Sequence, residues 1–194
     1  RIDAVRAFKV TGPADIPAIE ERASSQLDIY PEFRRDERPS HKAGAPLTAT
    51  YIEIGTDQGI TGLFGPLFEE TAFIVLKKLR PWLLGQNPLA SEKIWDVLYR
   101  QDRHSHKGYE MMAISAVDNA IWDIRGKAEG KPIHHLLGGP TRDRVDCYAS
   151  LTGQPHELSR VREIAAEAVE RGFKAQKWFF RYGPQHGREG IGSR

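Results

Sequence analysis

The stretch "GFKAQKWFFRYGP" (residues 172–184) reads as a strand and places a charged amine, Lys177, among apolar positions. Side chains two apart in a strand share a face, so Phe173, Ala175, Lys177 and Phe179 line one side. Lys174, Gln176, Trp178 and Phe180 line the other. With the first face turned inward, an unpartnered ammonium there would be expensive to desolvate. Such a lysine asks for a carboxylate partner, an anionic substrate or a catalytic task. The competing reading is a structural ion pair, or a side chain snorkelling to the strand's edge, and on these grounds alone it outweighs catalysis.

Other groups could also do chemistry. The segment "PEFRRDERPSHKAGAP" carries Arg34, Arg35, Arg38 and His41. An arginine there could grip a carboxylate through two parallel hydrogen bonds. Arg38 is the first candidate, followed by His41 and Arg34; the competing reading is a solvated, charged loop. "RHSHKG" sets His104 and His106 two apart, but a pair without a third ligand is a weak metal signal, and Mg²⁺ prefers oxygen ligands. Asp118 and Asp123 diverge by about 140° around a helix and are read as polar-face residues. His134 and His135 are read as a surface feature at a helix end.

Composition narrows the class. The 194 residues are 40% hydrophobic and 28% charged, which is globular rather than disordered. A net charge of +2 gives no argument for nucleic acid or a membrane surface. The apolar runs are too short to span a bilayer. One cysteine, Cys147, excludes an internal disulfide. With no signal-peptide-like apolar stretch at its start, the chain is expected to be cytoplasmic.

The elements that must position these groups follow from periodicity. "RIDAVRAFKV" alternates as a strand. Residues 11–46 are rich in Pro, Gly, Ser and charge, the pattern of a long functional loop or of disorder. "TATYIEIGTDQGITGLFG" reads as a hairpin turning at Asp57-Gln58-Gly59, and Gly62 and Gly65 at its end suit either a close backbone approach or an ordinary turn. One helix is expected over about residues 69–79, and a second with Asn87 as N-cap and Pro88 at its first position. "MMAISAVDNAIWDIRGKAEGKP" gives the clearest helix, with Ala113, Val117, Ala120, Ile124 and Ala128 on one face and Gly130 and Pro132 as stops. Its alanines predict close packing. Gly138-Gly139 reads as a hinge, since no phosphate-loop pattern follows a strand. The grammar then becomes strand (Val145, Cys147, Ala149, Leu151), amphipathic helix (Leu158, Val161, Ala165, Ala168, stopped by Gly172) and strand. That is a βαβ unit and implies a parallel sheet. Two parallel strands alone are not a stable sheet, so more chain or a partner is expected to complete it.

The stretch "AISAVDNAIWDIRGKAEGKPIHHLLGG" (113–139) resembles the signature helix and turn of the mandelate racemase and muconate lactonizing branch of the enolase superfamily. The order of elements agrees along essentially the whole chain. The resemblance implies an α+β capping domain over residues 1–140, followed over residues 141–194 by the opening of a (β/α)-barrel that is incomplete here. It also implies removal of the proton next to a carboxylate, to give an enediolate stabilised by Mg²⁺. The metal's acidic ligands belong to the third, fourth and fifth barrel strands, beyond these residues. Many members carry Lys-x-Lys on the second strand, one lysine binding or polarising the carboxylate and the other acting as base. Here the triplet is Lys177-Trp178-Phe179, and Phe179 cannot take a proton.

The spacing of Gly172, Phe173, Lys177, Gly183 and Pro184 is similar to the L-rhamnonate dehydratase-like subgroup, where the second lysine is also missing. That likeness implies a dehydratase of acid sugars, with a histidine base on later strands and Lys177 directed at the carboxylate. It implies a small sugar-acid substrate, no nucleic-acid or membrane partner, and a homo-oligomer. A racemase, epimerase or cycloisomerase of the same superfamily is the alternative, as is a non-catalytic capping and assembly module.

Overall fold

The computed structural model describes residues 1–13, 30, 32, 44–151 and 158–178. They fall into two compact units, one of Arg1–Gly12 with Leu47–Thr141 and the other of Pro13–Pro46 with Arg142–Arg194.

The first unit is an antiparallel sheet backed by helices. β1 (Ile2–Gly12), β2 (Leu47–Thr56) and β3 (Thr61–Leu67) pair in sequence order. The hairpin between β2 and β3 turns at Asp57–Gly59, as the sequence predicts. Gly59 takes φ 74°, and the Thr56 hydroxyl ties the loop shut by donating to the Ile60 carbonyl at 2.8 Å. Alternation sends Val5, Ile52 and Ile54 into the core. Phe8 and Tyr51 stack on the opposite face, ring centroids 6.0 Å apart.

A helical run follows β3. It comprises α1 (Glu69–Ile74), a π-helical turn (Val75–Leu79) and α2 (Arg80–Leu83). Ala72, Val75, Leu79 and Leu83 are buried along it. The wider π turn keeps Val75, Leu79 and Leu83, each four apart, on one stripe. The predicted first helix is thus present but longer and not uniformly α.

The predicted start of the next helix is corrected. α3 spans Ser91–Arg100 and its N-cap is Ala90. Asn87 instead closes a turn, its side-chain oxygen accepting from the Leu89 N–H at 3.1 Å and its carbonyl from the Ala90 N–H at 3.1 Å. Asparagine satisfies a turn as readily as a helix end, which is why the same residues fit both readings.

α4 (Gly108–Glu129) is the central helix of this unit. Ala113, Ile114, Ala116, Val117, Ala120, Ile121 and Ile124 are all at most 1% exposed, which makes it the wall against which the sheet closes. Gly130 ends it in the left-handed conformation, φ 62°, as predicted. Ala128, expected on the buried face, is exposed in the last turn. A short helix, α5 (Ile133–Leu136), follows and carries the exposed His134 and His135.

The second unit contains the predicted βαβ. β4 (Ala149–Leu151), α6 (Leu158–Glu170) and β5 (Gln176–Trp178) form a two-stranded parallel ladder with its connecting helix. β4 is shorter than its alternation suggests. Val145 and Cys147 are exposed and lie ahead of the pairing with β5, which among the described residues begins at Ala149. Of the predicted apolar stripe on α6 only Ala168 is buried, Leu158 being exposed and Val161 and Ala165 half-buried. Gly172 follows the helix with φ 87°.

Candidate functional site

The β4–β5 ladder holds the chemistry that the sequence singles out. Its register pairs Ala149 with Gln176, Ser150 with Lys177 and Leu151 with Trp178. Gln176 donates from Nε2 to the Ala165 carbonyl of α6 at 2.9 Å, and the Trp178 indole donates to the Gln176 side-chain oxygen at 3.0 Å. These contacts identify the helix-covered face. Strand alternation then puts Ser150 and Lys177 on the opposite face. The Lys177 ammonium lies 5.2 Å from the centre of the Tyr148 ring, which shares that face. The Ala149 N–H donates to the Ala175 carbonyl at 3.0 Å and fixes the register.

One expectation is corrected here. Lys177 is exposed in this two-stranded sheet, as is Ser150 across from it, so the lysine does not sit on a buried face. The parity of the strand was read correctly; burial depends on what lies over the face opposite α6. Tyr148 and Ser150 were not singled out from sequence. Their signal was present in the same alternation, since they occupy the face opposite Cys147, Ala149 and Leu151. Arg34, Arg38, His41 and Phe179 lie outside the described residues.

The remaining sequence candidates resolve into structural roles. His104 Nδ1 lies 3.2 Å from Asp102 Oδ1, whereas His106 stacks on Tyr99 with centroids 3.8 Å apart and brings Nε2 within 3.1 Å of the Tyr99 carbonyl. The two imidazoles are engaged separately. Among the described residues no group of three or more His, Cys, Asp or Glu could hold a metal ion. Asp123 accepts from the Leu63 N–H at 2.8 Å and from Lys127 Nζ at 2.7 Å, clamping α4 to β3. Asp118 is half-buried, and burial, with the Glu92 charge a second cause, pushes its carboxyl above the ordinary value.

A polar knot joins the π turn to the start of α4. Lys78 bridges Glu110 and Asp102, the latter at 3.2 Å. The buried Ser105 hydroxyl donates to Glu110 at 2.6 Å, and Gln101 donates to Ser105 at 3.3 Å. Hydrogen bonds from Lys78 and then Ser105 hold the Glu110 carboxyl below its ordinary value. The His104 backbone N–H, followed by Lys78, does the same for Asp102. Lys78 is raised in turn, by Glu110 first and Asp102 second. One ammonium between two carboxylates, tied in by neutral hydrogen bonds, reads as a structural fastening.

A three-stranded antiparallel sheet backed by helices, followed in the chain by a parallel βαβ unit, is the capping domain and barrel opening of the enolase superfamily. Residues 37–138 match the N-terminal domain of mandelate racemase / muconate lactonizing enzyme, and the chain belongs to that family. Over 201 aligned residues it is 33% identical to an L-rhamnonate dehydratase of Saccharopolyspora erythraea, covering 98% of this chain and 48% of the relative. Its fold is similar to that of an enolase-superfamily member from Polaromonas sp. JS666, with TM-score 0.69 and 25% identity over 95% of this chain and 45% of the other. It is also similar to a racemase from Streptomyces coelicolor A3(2) that has bound magnesium, with TM-score 0.64 and 25% identity over 91% and 46%. The chain thus spans about half the length of these relatives.

Proposed function

We propose that the whole protein to which these residues belong is an acid-sugar dehydratase, and that this chain contributes its capping domain and first barrel strands. The observation that carries the reading is the placement of Lys177. It stands on the face of the parallel ladder opposite α6, with the Ser150 hydroxyl across from it in register. An ammonium and a hydroxyl side by side on an open sheet face can hold a carboxylate through a charge-assisted hydrogen bond and a neutral one. Holding the carboxylate as charge builds on it favours loss of the adjacent proton. The sequence has Phe179 where a Lys-x-Lys triplet has its second lysine, so the proton acceptor is assigned to residues outside those described. The resemblance to L-rhamnonate dehydratase supports elimination of water as the outcome.

Arg38, His41 and Arg34 are proposed as substrate contacts of the capping loop. Magnesium belongs to this reading only for the whole protein. The described residues offer no ligand set for it. The acid sugar is proposed to meet a cytoplasmic homo-oligomer, without nucleic-acid or membrane partners.

The test is turnover by the intact, full-length protein with Mg²⁺ on a panel of acid sugars beginning with L-rhamnonate, read as 2-keto-3-deoxy acid. Lys177→Ala should lower kcat/KM by about 100-fold or more. Exchange of the α-proton with solvent deuterium without dehydration would replace this reading by racemisation, which the likeness to the Streptomyces coelicolor racemase makes the second choice.

A further inference from the structure

We infer that Tyr148 is a positioning residue for Lys177, its ring face fixing where the ammonium stands on the open side of the ladder. The role for a substrate carboxylate rests on the dehydratase reading above; the placement of the ammonium does not. The distance of 5.2 Å from Nζ to the ring centroid lies within the range at which a ring's negative face attracts a cation.

Backbone geometry makes this contact more than a chance approach of two mobile side chains. Tyr148 immediately precedes β4, and its neighbour Ala149 is bonded to Ala175, two residues before Lys177, at 3.0 Å. The backbone of Tyr148 and the root of the lysine are therefore placed by the main chain. Gln176, bonded to α6, and Trp178, bonded to Gln176, hold the flanks of Lys177 from the other face. The four-carbon stem of the lysine carries much rotamer freedom for its contacts to restrict. A ring face at the end of that stem restricts it. The restriction matters more because the sequence has Phe179 at the position where a Lys-x-Lys triplet has its second lysine.

The ring rather than the phenol hydroxyl supplies the effect, so Tyr148→Phe separates this role from hydrogen bonding. Tyr148 is 51% exposed, and replacing it by leucine is expected to leave the fold intact, as checked by the melting temperature. In the full-length protein, reductive ¹³C-methylation of the lysines gives a probe, with the Lys177 signal assigned by its loss in Lys177→Arg. The expected result is an upfield, ring-shifted Lys177 signal in the unsubstituted protein and in Tyr148→Phe, and a signal without that ring shift in Tyr148→Leu. Alongside it, Tyr148→Leu should lower kcat/KM for the acid sugar by roughly two- to fivefold, and Tyr148→Phe by less than about 1.5-fold. An unmoved Lys177 signal in Tyr148→Leu overturns the inference, and so does an equal loss of kcat/KM in the Phe and Leu variants. If no acid sugar turns over while the shifted signal is present, the dehydratase reading fails alone, and the Leu and Phe signals still decide the role of Tyr148.

Discussion

Gly62 of β3 lies directly on the backbone of Ala120 in α4. A Cβ built on Gly62 would fall 2.0 Å from the Ala120 carbonyl oxygen and 2.8 Å from Ile124 Cγ1. The strand reaches the helix only because two small residues face one another. The alanine-rich face of α4, legible in the sequence, thus has its structural counterpart in a glycine that local turn chemistry would explain equally well.

Gly62→Ala is therefore expected to destabilise the fold by about 1–3 kcal/mol or more, since the obstacle is backbone and cannot swing aside. Urea denaturation of the two proteins measures it. A change below about 0.5 kcal/mol would mean that strand and helix can separate without loss.

The clamp beside this contact predicts a graded pair. Asp123→Ala removes the acceptor for the Leu63 N–H and the partner of Lys127, and should cost about 1–2 kcal/mol. Asp123→Asn keeps an acceptor for Leu63 and should cost less. Equal losses would show that the charge on Asp123, not its acceptor, holds β3.

Acid should loosen the knot at Glu110. Its carboxyl lies below the ordinary 4.5 in the folded state, so its contribution is complete above 4.5 and is lost as pH falls through the folded value. Asp102 acts in the same direction from an ordinary value of 3.8, whereas Lys78, raised above 10.5, loses its contribution only in strong base. Thermal melts should accordingly show Glu110→Gln less stable than the unsubstituted protein at neutral pH, with the gap closing on acidification. A gap that is constant with pH would assign Glu110 to packing alone.

Asp118 should behave in the opposite sense. Its carboxyl is raised above 3.8 by burial and by Glu92, so the folded state is favoured when it is protonated and penalised once pH exceeds the folded value. Asp118→Asn is expected to raise the melting temperature at neutral pH, with the gain vanishing in acid below 3.8. A lower melting temperature at neutral pH would point to a favourable partner for the carboxylate.

Periodic features were legible in the sequence. The β2–β3 hairpin, the long α4 with its glycine stop and the βαβ order all follow from local pattern, because repeating burial leaves a repeating sequence. Features set by a single contact were not. The Asn87 turn imitates a helix start, and no residue type announces a π turn at Val75–Leu79. Pairing of β4 begins only at Ala149 among the described residues, which the alternation of Val145 and Cys147 cannot reveal. At the candidate site the parity of Lys177 was readable and its exposure was not, since exposure is decided by strands other than its own two. Tyr148 and Ser150 needed the inter-strand register before they could be joined to the lysine.

The hydrogen bond from Ala149 to Ala175 gives that register the character of a reading frame. A residue inserted upstream, anywhere between α6 and Ala175, can be absorbed before the frame is set. One inserted between Ala175 and Lys177 would leave the ladder paired but turn the lysine through the sheet toward α6, presenting its neighbour in its place. Length variation on the two sides of one peptide group therefore has unequal consequences, silent on one side and inverting on the other.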